Sequence, residues 1–153
     1  MKKQRKIVHA HLLPAVEDGV ERHNIIRHNL VILSKPCISC ISSDTKPANF
    51  WQASPTNNWI NNTAGGSTHF GYWFELADTP SGPSRQPGYC PNSQPLGSFV
   101  ANTAHSSSIG FRIYPNYAPS QLPCGGGGDA PQYFYNTTMY ANNRGMFHKH
   151  AGS

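Results

Sequence analysis

The residues of this chain best suited to acid–base chemistry are two histidines and one glutamate. His69 and His105 follow similar segments, Asn62-Thr63-Ala64 and Asn102-Thr103-Ala104, at seven and three residues from the asparagine. Glu75 directly follows the apolar segment 71–74. These three side chains are the candidate catalytic groups, although a histidine in such a place more often hydrogen-bonds a backbone corner.

A glycan-cleaving enzyme needs more acidic groups than the repeats bring together. Glycosidases use two facing carboxylates roughly 5 to 10 Å apart, and the aligned segments place no second acid beside Glu75. Glu17 and Asp18 are adjacent, so on a strand their side chains would face opposite ways. A Ca²⁺-assisted lyase would need clustered oxygen ligands and a base. These residues are therefore compatible with an enzyme and with a binding protein. We expect no cofactor, except Ca²⁺ if the protein is an enzyme.

The cysteine and histidine spacings do not predict a metal site. Cys37 and Cys40 form a lone C-x-x-C, without the second pair or spaced histidines that zinc needs and without a thioredoxin-like context. A local disulfide and two free thiols are both open for this pair. His148 and His150 form an H-x-H, which fits a chain end as well as a pair of ligands.

The composition indicates many short strands joined by turns. Charged residues make up 12% of the chain and hydrophobic residues 37%, with 14 Gly and 13 Pro. The scarcity of strong helix formers argues against a helical protein, and the apolar content argues against a disordered one. Much of the net charge of +5 lies in residues 2–6, so we expect residues 1–15 to be a basic, poorly ordered segment. No basic stripe predicts nucleic acid as a partner, and no apolar run is long enough to span a membrane.

An internal repeat predicts the elements that position the candidate residues. The Asn62-Thr63-Ala64 segment returns at Asn102 and as Asn136-Thr137-Thr138, and each copy is followed by a glycine that opens an apolar segment. A weaker first copy contains Asn29. When the loops at 34–47, 77–95 and 115–131 are removed, about twenty residues remain per repeat, the size of one solenoid rung. We therefore predict an all-β, parallel β-helix of three to four rungs over residues 16–153, and we expect it to be a fragment of a larger protein.

Stacking of the rungs explains why asparagine recurs. Equivalent residues of successive rungs lie about 4.8 Å apart, so identical amide side chains can hydrogen-bond along the stack. Asparagine also tolerates the left-handed backbone of a corner. We expect Gly71, Gly110 and Gly145 to form a second column of corners. The predicted ladder consists of Asn29, Asn62, Asn102 and Asn136.

Two tripeptides match the signal for N-linked glycosylation, Asn61-Asn62-Thr63 and Asn136-Thr137-Thr138. Asn61 precedes the ladder by one residue, so its side chain can face outward, whereas Asn136 is assigned to the ladder. In a chain this rich in Asn and Thr, both matches can be accidental.

Strand alternation predicts which side chains face solvent. Aligning the three glycines points Tyr72, Phe111 and Met146 inward. On the opposite face, beside Glu75 and Lys149, it places four predicted ligand-binding residues: Trp73, Arg112, Tyr114 and Phe147. Rings can pack on sugar faces and charged groups can bond sugar hydroxyls or carboxylates, so this face is a hypothesis for a polysaccharide-binding site. A mixed surface, or one covered by loops, is the alternative.

Several segments, in order along residues 16–153, resemble the group that contains fibrocystin, fibrocystin-L and the cell-migration-inducing and transmembrane hyaluronidases. The closest similarity lies in residues 64–74, Ala-Gly-Gly-Ser-Thr-His-Phe-Gly-Tyr-Trp-Phe, continued by Pro-Ser-Gly-Pro-Ser at 80–84. Residues 16–21 and 102–106 are similar as well. The resemblance implies a right-handed parallel β-helix in an extracellular or membrane-anchored protein. In the family this region usually follows a G8 domain, which is not visible here.

The resemblance also has consequences for the cysteines and the function. Related proteins carry cysteines in the two loops that hold Cys90 and Cys124, which implies a Cys90–Cys124 disulfide and an oxidising compartment. Some members depolymerise hyaluronan, while others are regarded as surface proteins. The first expectation is thus an extracellular or cell-surface module that binds a polysaccharide or a protein and is non-catalytic by itself. The alternatives are a hyaluronidase-like enzyme with part of its site outside this chain, and a structural spacer.

Overall fold

The computed structural model describes residues 18–37 and 45–148, and this part of the chain forms a parallel β-helix of four rungs. The first rung contains β1 (Ile25–Arg27), β2 (Leu30–Ile32) and β3 (Ala48–Gln52), and the second contains β4 (Asn58–Ile60), β5 (Thr63–Gly65) and β6 (Phe70–Phe74). The third contains β7 (Phe99–Val100), β8 (Thr103–His105) and β9 (Ile109–Ile113), and the fourth β10 (Thr138–Tyr140) and β11 (Arg144–His148). The predicted fold class is confirmed, whereas the basic segment 1–15 lies outside the described residues.

The strands stack into three parallel sheets because each pairs with its equivalents in the neighbouring rungs. The first sheet has the order β1-β4-β7, the second β10-β8-β5-β2 and the third β11-β9-β6-β3. In the fourth rung a single bridge from Tyr135 to Val100 continues the first sheet. The position of a residue within its rung therefore determines which side chains lie above and below it.

The inserted loops leave the β-helix at two different corners. Residues 75–98 and 114–134 connect the third sheet of one rung to the first sheet of the next, whereas residues 33–47 connect the second and third sheets within the first rung. Cys90 and Cys124 form a disulfide between the first two loops, with Cα atoms 4.9 Å apart, as the resemblance implied. Cys37 is also disulfide-bonded, and Cys40 lies outside the described residues.

The core consists of inward-facing aromatic residues, mostly of the first three rungs. Phe50 stacks on Tyr72 with ring centroids 4.9 Å apart, and Phe99 stacks on Phe111 at 5.0 Å. Burial of rings this large contributes about 2 to 3 kcal/mol each. Met146, which was expected inside, is 47% exposed because it belongs to the last described rung.

Three of the predicted ladder asparagines are hydrogen-bonded along the stack. Asn29 Nδ2 donates to Asn62 Oδ1 at 3.0 Å, and Asn62 Nδ2 donates to Asn102 Oδ1 at 3.1 Å. Asn102 Nδ2 donates to the carbonyl oxygen of Trp59 at 2.8 Å. The ladder therefore joins the first three rungs, and two of its members, Asn62 and Asn102, are fully buried.

Asn136 does not belong to this ladder, contrary to the sequence-based assignment. β10 pairs with β8 so that Thr138 lies opposite Thr103, which places Thr137 at the ladder position. Asn136 then lies one residue earlier, where it is exposed and has a φ of 48°. The shift follows from strand alternation, because Met139 has to lie opposite the inward-facing Ala104.

The glycine column lies inside strands and not at corners. The left-handed corners hold other residues, for example Asn61 with a φ of 53° and Ser106 with a φ of 55°. A Cβ added to Gly71 would lie 2.5 Å from the carbonyl oxygen of Gly110. Close stacking of rungs, and not a positive φ, therefore requires glycine in this column.

Candidate functional site, an arginine–aromatic cluster on the third sheet

The outer face of the third sheet places Arg112 among four aromatic side chains. Arg112 lies between the inward-facing Phe111 and Ile113, so alternation turns it outward. The strand register places it between Trp73 of β6 and Phe147 of β11. We call Arg112 and the following rings the arginine cluster, with distances from the guanidinium carbon to each ring centroid: Phe70 4.7 Å, Trp73 5.4 Å, Tyr114 4.6 Å and Phe147 6.0 Å.

The charge of Arg112 is compensated by rings. Within the described part of the chain, the guanidinium contacts aromatic faces and no carboxylate, and its Nε is buried without a hydrogen-bond partner. Cation–π contacts of this kind hold a guanidinium in place but leave the N–H groups at its edge without acceptors. The arrangement can therefore orient Arg112 for a planar, two-oxygen ligand such as a carboxylate.

Trp73 is not the exposed sugar platform that the sequence predicted. Its side chain is only 7% exposed, and the Phe70 ring packs against it with centroids 5.0 Å apart. Phe70 belongs to the same strand as Trp73, and Arg112 of the next rung lies over the Trp73 ring, so both neighbours cover the indole. The part of the cluster that a ligand can reach is formed by the half-buried side chains of Arg112, Tyr114 and Phe147.

Glu75 lies next to this sheet and is held by an indole. Trp51 of β3 lies opposite Trp73 of β6, and its Nε1 donates to Glu75 Oε2 at 2.9 Å. Sequence reasoning missed Trp51 because loop 33–47 separates the third strand of the first rung from the rest of that repeat. The signal was the aromatic pair Phe50-Trp51, which parallels Tyr72-Trp73. Lys149, which was expected beside Glu75, lies outside the described residues.

His69 and His105 do not occupy equivalent positions. His105 ends β8 and lies opposite Gly65, whereas His69 precedes β6 on the other side of the corner. The His105 ring stacks on Tyr140 at 5.0 Å between centroids, and its Nδ1 lies 3.1 Å from Ser106 Oγ. Nδ1 of His69 lies 3.2 Å from the hydroxyl of Thr68. His69 lies four residues after Gly65, the partner of His105, so the spacings of seven and three residues from the asparagine correspond to two different positions in the rung.

Two other described acids, Asp18 and Asp78, accept hydrogen bonds from loop residues. Ser84 Oγ donates to Asp18 Oδ2 at 2.5 Å, and Asn92 Nδ2 donates to Asp78 Oδ1 at 2.7 Å. Among residues 18–37 and 45–148, no group of three or more His, Cys, Asp or Glu is arranged to hold a metal ion. The same ranges contain no helix that is long and apolar enough to cross a membrane.

The structure shows two further features near the last rung. A cavity of about 430 Å³ lies between loop 115–131 and the inward residues Ile113, Phe134 and Met146. Burial raises the pKa of Tyr117 in its wall well above the usual range. Sequence reasoning did not single out the exposed tyrosines of this rung, whose exposed fractions are 62% for Tyr133, 57% for Tyr135 and 54% for Tyr140.

Comparison with known proteins agrees with this architecture. Fibrocystin-L of Mus musculus is 36% identical over 132 residues, which cover 85% of this chain and 3% of that protein. The cell migration-inducing and hyaluronan-binding protein of Homo sapiens is 36% identical over 128 residues, 65% of this chain and 9% of that protein. The cell surface hyaluronidase of Danio rerio is 31% identical over 120 residues, 60% of this chain and 9% of that protein.

The chain thus spans only a small part of the length of these relatives. Residues 9–111, well over half of the chain, match the family described as CEMIP beta-helix. This range contains the asparagine ladder, β3, β6 and the first three residues of β9. The chain therefore belongs to the CEMIP beta-helix family.

Proposed function

We propose that this chain is a polysaccharide-binding module of an extracellular or cell-surface protein, and that it binds an acidic glycan at the arginine cluster without cleaving it by itself. The observation that carries this proposal is the half-buried guanidinium of Arg112, which contacts four rings and no carboxylate in the described part of the chain. A guanidinium in these surroundings can form charge-assisted hydrogen bonds with an anionic ligand, which would stabilise the complex.

The chemistry of Arg112 favours a carboxylate-bearing sugar over a neutral one. A guanidinium presents N–H donors in a flat fork that matches the two oxygens of a carboxylate. Tyr114 and Phe147 flank this fork and offer half-buried ring surface against which a sugar can pack. The net charge of +5 would also attract a polyanion over longer distances.

The relatives and the disulfide support the same proposal. One relative is named as hyaluronan-binding and another as a cell surface hyaluronidase, and hyaluronan carries a carboxylate on alternate sugars. The Cys90–Cys124 disulfide supports an oxidising compartment, as expected of an extracellular module. Hyaluronan is therefore the first ligand to test.

The test is isothermal titration of the full, oxidised chain with hyaluronan oligosaccharides. Arg112→Gln should weaken binding about tenfold or more, because a charge-assisted hydrogen bond contributes about 1.5 to 3 kcal/mol. Arg112→Lys should weaken it as well, since the charge remains but the fork is lost. Arg27→Gln, at an exposed position of the first sheet, is the matched control and should leave the affinity unchanged. Equal affinity of Arg112→Gln and the unaltered protein would overturn the site.

The second candidate function is hydrolysis of the same polysaccharide. It is favoured by the name of the zebrafish relative and by the fixed carboxylate of Glu75 beside the cluster. The chain length of hyaluronan, followed by gel electrophoresis with and without Ca²⁺, separates the two functions. Shortening that is lost in Glu75→Gln or His69→Ala would favour the enzyme, whereas binding without shortening would favour the module.

A further inference from the structure

The two glycosylation signals of this chain fall on the same corner of the β-helix. Asn61 lies between β4 and β5, directly before the ladder residue Asn62. The pairing of β5 with β8, and of β8 with β10, places Asn136 in the same column two rungs further along. All residues of this column have a left-handed backbone, with φ values of 57° at His28, 53° at Asn61, 55° at Ala101 and 48° at Asn136.

We propose that Asn61 and Asn136 are sites of N-linked glycosylation. Both side chains are exposed, and each is followed at the second position by the threonine that the signal requires, Thr63 or Thr138. Two rungs separate them, which corresponds to roughly 10 Å along the stack. The corner between the first and second sheets would then carry two neighbouring glycans.

The neighbouring ladder residue shows why these asparagines can carry a glycan. Asn62 is fully buried and its amide is hydrogen-bonded on both sides, to Ile26 and Asn102, so a glycan there would break the stack. The glycosylation signal Asn61-Asn62-Thr63 instead begins at Asn61, the residue before Asn62. In contrast, Asn61 Nδ2 makes one exposed contact among the described residues, 2.9 Å from His28 Nδ1, so its modification would disturb no buried hydrogen bond.

The register of the fourth rung is essential to this inference. If Asn136 occupied the ladder position, its amide would face the stack, as the amides of Asn62 and Asn102 do. The shift by one residue places Thr137 there and turns Asn136 to the outside. This corner joins the first and second sheets, whereas the arginine cluster lies on the third sheet. The inference is independent of the proposed function.

Glycosylation of Asn61 and Asn136 can be tested by directing the full chain into the endoplasmic reticulum of cultured cells with an added, cleavable signal peptide. Intact mass before and after treatment with peptide-N-glycosidase counts the glycans, and conversion of the released asparagines to aspartate locates them. We expect two glycans, loss of one in Asn61→Gln, loss of the other in Asn136→Gln, and loss of both in the double variant. Because glycans are attached inside the cell, the intracellular pool gives the result even for a variant that is not secreted.

Two further substitutions in the double variant test the corner itself. Ala101→Asn creates a new signal with Thr103 at the equivalent corner of the third rung, and we expect it to regain one glycan. His28→Asn places asparagine at the equivalent corner of the first rung, but residue 30 is leucine, so it should gain none. An unmodified Asn61 or Asn136 in the otherwise unaltered chain would overturn the proposal.

Discussion

Asn62 and Asn102 are joined by two hydrogen bonds to a single oxygen atom. The backbone nitrogen and the Nδ2 of Asn62 both donate to Asn102 Oδ1, at 3.0 and 3.1 Å. Both side chains are fully buried, so none of these polar groups can turn to water if its partner is lost. The ladder therefore depends on each of its members.

Asn102→Ala should lower the free energy of unfolding by about 3 kcal/mol or more. The substitution leaves the two donors of Asn62 without their acceptor and removes the bond to the carbonyl of Trp59. Urea unfolding followed by circular dichroism measures the loss. Asn136→Ala is the matched control, because this asparagine is exposed and should cost only about 1 kcal/mol, the strain of alanine at a φ of 48°. A similar loss in both variants would contradict the register described here.

Gly110→Ala should destabilise the protein by about 1 to 3 kcal/mol. The added Cβ would lie 2.7 Å from the carbonyl oxygen of Gly145, which would push the third and fourth rungs apart. The same substitution at Gly145 meets its nearest atom, Met139 Cβ, only at 3.9 Å and should be tolerated. Thermal melts of the two variants give the comparison. If Gly145→Ala were the more damaging change, the stacking order of these strands would be wrong.

Removal of the disulfide in the double variant Cys90→Ser/Cys124→Ser should cost roughly 4 kcal/mol in the loop-entropy account. The two cysteines are 34 residues apart, so the bond restrains a long segment of the unfolded chain. Chemical unfolding under oxidising conditions measures the effect. Addition of a reductant should then lower the stability of the unaltered protein more than that of the variant. Equal sensitivity to the reductant would show that this bond does not stabilise the fold.

Stability should decline at alkaline pH because two buried tyrosines keep their protons. Burial raises the pKa of Tyr72 and of Tyr117 above the ordinary value of 10.0. Above pH 10 the unfolded chain loses these protons first, so the free energy of unfolding falls by up to about 1.4 kcal/mol per pH unit for each tyrosine. Below pH 10 the two tyrosines are protonated in both the folded and the unfolded chain, so their contribution to the free energy of unfolding is fully retained. Urea unfolding at a series of pH values checks the slope.

Phenylalanine substitutions separate the two tyrosines. Tyr72 Oη donates to the Asn62 carbonyl at 2.9 Å, so Tyr72→Phe should cost about 1 kcal/mol at neutral pH. Tyr117 Oη is buried without a hydrogen-bond partner among the described residues, so Tyr117→Phe should be neutral or stabilising there. Both variants should show a shallower alkaline decline. An unchanged slope in Tyr117→Phe would mean that this tyrosine titrates normally.

Most of the fold could be predicted from local patterns. The returning Asn-Thr-Ala segments predicted the rungs and three of the ladder members, and alternation around Gly110 correctly turned Arg112 outward and Phe111 inward. Alternation is a property of neighbouring residues on one strand, so no knowledge of distant contacts was needed. The Trp51–Glu75 contact could not be predicted this way, because a loop of unknown path separates the first-rung strand from its repeat.

By itself, the sequence determined the parallel stack and the direction of the side chains around Gly110, since both follow from short motifs that recur along the chain. Only the tertiary structure decided the register of the fourth rung and the burial of Trp73. These depend on pairing between residues about one rung apart in sequence, such as Thr103 and Thr138. A shift of one residue at a corner changes the pairing partner of every residue in the following strand, and the sequence of the repeated motif does not reveal this shift.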